Sequence, residues 1–113
     1  RLPRAIGRQV AMEGILTGDP LSVERAHQLG LVNSVVEPGA ALDAAIELAE
    51  KIATSAPMAV AASRRVVNAA AYETDENLIR MTAEEFAPIL GSEDTKEGLT
   101  AFIEKRAPQW KGR

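Results

Sequence analysis

One histidine, no cysteine and a few paired acidic residues are all that the chain offers for chemistry of its own. His27 has no cysteine or serine arranged with it, so no nucleophile and base are built around it, and it reads as a surface or partly packed helix residue. Glu84-Glu85 and Glu93-Asp94 are sequence neighbours. On a helix such neighbours splay onto different faces and do not share a proton, which leaves them as a solvated face and a helix N-terminus. Glu93 and Glu97 do share a face, four residues apart, but no histidine or further carboxylate completes a metal site with them. The glycines follow neither GxGxxG nor the phosphate-loop pattern. What remains is GLTAFIEKRAP, residues 98 to 108, where Phe102 stands three residues before Lys105 and just ahead of Pro108. An apolar plate beside an ammonium on one helical face can hold a flat, anionic ligand. The alternative is structural: Phe102 joins Leu99 and Ile103 in a buried stripe, and Lys105 is a last-turn charge facing the helix dipole.

These residues need helices to position them, and the sequence supplies helices almost throughout. Pro3 suits a first helical turn, and Ile6, Val10, Met12 or Glu13, and Leu16 follow at near-helical spacing until Gly18 and Pro20. Ser22 caps a second, short helix carrying Val23, Ala26 and Leu29, ended by Gly30. Leu31 to Glu37 is rich in β-branched residues between Gly30 and Pro38-Gly39, which predicts one short strand whose partner lies outside the chain. From Ala41 the helical period returns through Leu42, Ala45, Ile46, Ala49, Ile52 and Ala53. Pro57 starts a further helix running to about Tyr72, and Thr74 caps the next, in which Pro88 predicts a kink or early end near Ala83 to Ala87. Ser92 caps the last helix, with Glu93 and Asp94 in its first turn and Lys105 and Arg106 in its last; Pro108 stops it.

The chain has 113 residues, enough for about one domain, of which roughly a third of the unfolded surface would stay exposed after compact folding. Aromatics make up only 4% of residues while alanines number 20, a composition suited to helices that lean on something else. A net charge of −3 with both signs interspersed gives no footprint for a nucleic-acid backbone and no polybasic membrane tail. No apolar run approaches the ~20 residues of a membrane span, and no signal peptide is recognisable, so the expected setting is cytoplasmic. The first residue is Arg1, and the chain is expected to be cut from something longer.

RLPRAIGRQVAMEGILTGDPLSVERAHQLGLVNSVV resembles the stretch that follows the catalytic half of crotonase-superfamily proteins, the enoyl-CoA hydratases and isomerases. The matching positions are Arg4, Gly7, Ala11, Glu13, Leu16-Thr17-Gly18, Ala26 and Gly30-Leu31-Val32. AEKIATSAPMAVAASRRVVNAA is similar to the family's long helix pair, and SEDTKEGLTAFIEKRAPQWKGR to its terminal helix and tail. Pro88 departs from the family's unbroken helix, and Arg64 stands where lysine is common.

The resemblance implies a mainly α fold, the helical C-terminal part of a crotonase ββα-spiral, with one short strand and about five to six helices and without the spiral core. Residues 1–37 would end the core region and 38–113 would form a helical lid and oligomerisation segment, the whole a single structural unit. The family's oxyanion donors and two catalytic glutamates lie upstream, so the resemblance implies no catalytic residue and no metal here, and Glu13 is not one of the glutamates. Hydratases of the family present a phenylalanine and a lysine three residues later to the CoA nucleotide, which maps onto Phe102 and Lys105. The implied partners are an acyl-CoA substrate, whose coenzyme A is part of the substrate and not a separate cofactor, the missing N-terminal half, and other copies in a trimer or hexamer. The implied activity is hydration of 2-enoyl-CoA thioesters. An isomerase or other crotonase-fold acyl-CoA enzyme is the alternative within the family, and a non-catalytic helical assembly module the alternative outside it.

Overall fold

Pro3 starts a helix as its fixed φ allows, but Gly7 breaks it. Gly7 adopts φ 84° and ψ 151°, a conformation essentially closed to other residues, and so divides the expected first helix into α1 (Leu2–Ile6) and α2 (Arg8–Thr17). The computed structural model describes residues 1–113 and contains seven helices and no strand. Two compact units emerge, Arg1–Ala44 and Ala45–Arg113.

In the first unit α1 lies against α2, and α3 (Val23–Gln28) begins where the Ser22 hydroxyl accepts the Arg25 N–H at 3.2 Å. Gly30, at φ 76°, ends that helix: its N–H bonds the His27 carbonyl and the Leu31 N–H reaches back to Ala26. The strand expected over Leu31 to Glu37 does not form. A strand exists only as part of a ladder, and no second extended segment in the chain offers one, so the β-branched run stays irregular with Val32, Val35 and Val36 exposed. Composition there described a surface to be covered, and the covering segment is what converts such a run into a strand.

Helix α4 (Ala41–Ala53) carries the unit boundary and buries none of its apolar stripe; Leu42, Ile46 and Ile52 are all exposed. In the second unit α5 (Pro57–Ala69) lies against α6 (Asp75–Leu90), which in turn meets α7 (Glu93–Glu104). The early end expected near Ala83 to Ala87 is absent, because Pro88 falls in the last turn of α6, where its missing N–H removes one ladder bond and little helix lies beyond it to disrupt. Arg65 grips Glu85 across the α5–α6 pair, while the adjacent Glu84 takes Arg80 one turn back. The two neighbouring carboxylates thus face different partners, as helical geometry requires. The buried apolar residues of the whole chain are Ile6 and four alanines, Ala11, Ala26, Ala62 and Ala101.

Candidate functional site

Helix α7 and the turn that ends it carry the sequence-predicted residues. The helix starts on Ser92, whose hydroxyl accepts the Thr95 N–H at 3.0 Å, while the Thr95 hydroxyl donates to the Ile89 carbonyl and ties the start to the end of α6. From there the two faces of α7 diverge. Asp94 and Ala101 are buried with Gly98 half-buried between them, whereas Leu99, Phe102 and Ile103 stand out, Phe102 at 84% exposure. Within this chain the buried-stripe reading of Phe102 therefore fails: the face that packs is small and polar.

What covers that face is the tail, which runs back along α7. Gly98 makes room for Trp110; a methyl group there would come within 3.3 Å of the indole. The Trp110 N–H donates to the Thr54 carbonyl at 2.8 Å. Asp94 accepts the Lys111 and Gly112 N–H groups at 2.6 and 2.9 Å, and the Glu93 N–H donates to the Arg113 carbonyl at 2.8 Å. Glu93 also binds Lys111 and Arg113, which hold its carboxyl below the usual range, chiefly through the Lys111 hydrogen bond.

The reversal from helix to tail is made at Lys105. The expected last-turn position is corrected here: Lys105 lies one residue beyond the helix, at φ 54° and ψ 40°, the only non-glycine residue with positive φ in the chain. Its N–H donates to the Phe102 carbonyl and that of Arg106 to Ala101, the paired bonds of a Schellman turn. A lysine there carries the left-handed cost that glycine avoids. Arg106, expected as a charge facing the dipole, instead reaches across the turn. Its guanidinium donates to both oxygens of Glu97, at 2.5 and 3.0 Å, and to Glu104 at 2.6 Å. Glu97 accepts the Gln109 N–H as well, at 2.7 Å. Arg106 first and that N–H second hold the Glu97 carboxyl at about 2, far below its ordinary 4.5.

Sequence reasoning missed Glu97, Arg106, Asp94 and Trp110 as parts of this assembly. Their partners lie 9 to 18 residues away across a break in the helix, and the turn at Lys105 makes them neighbours. His27, exposed, pairs with the Val32 carbonyl at 3.3 Å and takes no part. A larger open concavity of about 590 Å³ in the first unit is lined mainly by apolar residues such as Leu2, Ile6, Val10 and Leu21, with Glu13 and Arg25 among its few charges.

The second unit thus presents an exposed ring, Phe102, in the last turn of α7 and an exposed lysine, Lys105, in the braced turn that follows. A family model described as Enoyl-CoA hydratase/isomerase matches residues 1–113. A protein of Dictyostelium discoideum described as "Probable enoyl-CoA hydratase, mitochondrial" is 43% identical over 97% of this chain and 40% of its own length. The (E)-benzylidenesuccinyl-CoA hydratase of Thauera aromatica is 42% identical over 98% of this chain and 43% of its own length. The crystal structure of an enoyl-CoA hydratase from Mycobacterium marinum superimposes with a TM-score of 0.93 at 50% identity, covering 100% of this chain and 46% of that one. The chain thus spans less than half the length of these relatives, and its helices match the helical C-terminal part of the crotonase fold.

Proposed function

Because the chain belongs to the enoyl-CoA hydratase/isomerase family, we propose that it is the CoA-holding and assembly part of an enoyl-CoA hydratase, with Phe102 and Lys105 as the contact to the CoA nucleotide. The observation that carries the reading is an exposed phenylalanine whose carbonyl accepts the N–H of an exposed, left-handed lysine at the end of α7. An exposed ring leaves a π face open for a purine, and the gain from covering both surfaces is the ordinary hydrophobic one. The Lys105 ammonium, a compact charge on a flexible stem, suits the nucleotide's phosphates and tolerates their position more readily than a planar guanidinium would.

In this reading the intact protein adds water across the double bond of a 2-enoyl-CoA. Two backbone N–H groups polarise the thioester carbonyl and two glutamates move the protons of water, all supplied from outside these 113 residues. Coenzyme A enters as part of the substrate. Residues 1–37 close the core region, and 38–113 serve as lid and assembly segment in a cytoplasmic trimer or hexamer. Support for the assembly role comes from α4 and α6, which bury none of their residues within this chain. An isomerase would use the same contact, since the two activities differ in glutamates that lie elsewhere.

The test is Lys105→Ala in the full-length protein, assayed with a 2-enoyl-CoA and with the matching pantetheine thioester, which lacks the nucleotide. Loss of one charge-assisted phosphate contact should raise KM for the CoA substrate about tenfold and leave that for the pantetheine thioester unchanged. Equal losses on both substrates would show that Lys105 does not touch the nucleotide.

A further inference from the structure

Lys105 occupies a backbone conformation that its own side chain disfavours, so something beyond the turn's hydrogen bonds must keep it there. The nearest brace is the next residue. Arg106 is locked on three sides: by both oxygens of Glu97, by Glu104 and by the Ala107 carbonyl at 3.1 Å. Of the two carboxylates, Glu97 is the anchor. Glu104 lies two residues before Arg106 and moves with the turn, whereas Glu97 sits two helical turns back and is less exposed, 21% against 54%. Glu97 also takes the Gln109 N–H, so one carboxylate grips the tail on both sides of Pro108. The bidentate fork fixes the guanidinium plane as well as its distance, which a single ion pair would not do.

We propose that Glu97 is a positioning residue for nucleotide binding: by clamping Arg106 it holds Lys105 in the left-handed turn beside Phe102, so that the ammonium is preorganised when CoA arrives. This rests on the reading of Phe102 and Lys105 as the CoA contact. Glu97 itself touches no substrate. Its charge matters because a neutral amide keeps one acceptor oxygen and replaces the other by a donor that repels the guanidinium N–H groups. Preorganisation enters affinity by removing an ordering cost at binding, so its loss falls on KM and spares the chemical step.

The experiment compares wild type, Glu97→Gln, Arg106→Lys and Lys105→Ala in the full-length protein with two readouts. The first is amide hydrogen exchange at Lys105 and Arg106 without ligand. The second is kcat and KM for a 2-enoyl-CoA and for the matching pantetheine thioester, the latter doubling as the control for folding. Glu97→Gln should speed exchange at both amides by about tenfold and raise KM for the CoA substrate several-fold, by about three- to tenfold. Its kcat and its KM for the pantetheine thioester should hold. Arg106→Lys, which keeps the charge and loses the fork, should shift both readouts the same way. Unchanged exchange in Glu97→Gln overturns the proposal, because the turn then needs no clamp. Faster exchange with an unchanged KM also overturns it, provided Lys105→Ala still raises that KM; the nucleotide contact then stands without the positioning. If Lys105→Ala itself shows no nucleotide-specific loss, the contact falls and the positioning role falls with it.

Discussion

Two helices in this molecule end in the same hydrogen-bonded turn on different residues. After α3 the N–H of Gly30 meets the His27 carbonyl and that of Leu31 meets Ala26; after α7 the N–H of Lys105 meets Phe102 and that of Arg106 meets Ala101. Both turning residues have positive φ, 76° and 54°. Glycine makes the turn without penalty, and at Gly30 the turn carries a single 3.3 Å approach of the His27 ring to the Val32 carbonyl and no fork of charges. Lysine makes it at a cost, and around Lys105 stands a fork of Arg106, Glu97 and Glu104. The contrast supports the proposal that Lys105 serves something other than the fold. In the proposed reading, the strained and braced residue is placed for what its side chain meets outside.

The largest effect expected from this comparison comes from placing the costly residue where no brace exists. A Cβ at position 30 would meet nothing within 4 Å, so the expected destabilisation by Gly30→Lys, roughly 1–2 kcal/mol, reflects the left-handed penalty. Chemical denaturation of the full-length protein measures it, and a neutral result would mean that the two turns differ in nothing that matters.

Acid distinguishes the turns next. The Glu97 carboxyl lies at about 2 in the fold against an ordinary 4.5, so its folded value is depressed. The contribution of its pairing is therefore complete above 4.5 and is lost as pH falls toward 2. Corrected for intrinsic rates, exchange protection at Arg106 should stay level from pH 7 to 5 and decline below about 4, while protection at Leu31 should show no such step.

Much of this was legible in the residues. Ser22, Thr74 and Ser92 cap the helices expected of them, because a cap depends on side chains within three positions. The matches at Gly7, Leu16-Thr17-Gly18 and FIEK pointed to the family that the comparisons established. Failures occurred where distant partners decide. Leu31 to Glu37 has strand composition and no ladder; Gly7 looked like an ordinary helical glycine and is a break; Lys105 and Arg106 looked like last-turn charges and are a turn and its brace. Helix α4 shows the reverse case: its stripe was plain in the sequence, yet Leu42, Ile46 and Ile52 stay exposed in this chain. Local rules place elements, and only the chain reversal at Lys105 reveals that Glu97 and Arg106 belong together.

The smallest expected change is also the most direct test, because one variant should strengthen the fold and weaken nucleotide binding at once. Lys105→Gly in the full-length protein removes the left-handed cost and the ammonium together. Stability should rise by up to about 1 kcal/mol while KM for a 2-enoyl-CoA rises and that for the pantetheine thioester does not. A variant that loses stability, or one that gains it with nucleotide-dependent binding intact, would contradict the account.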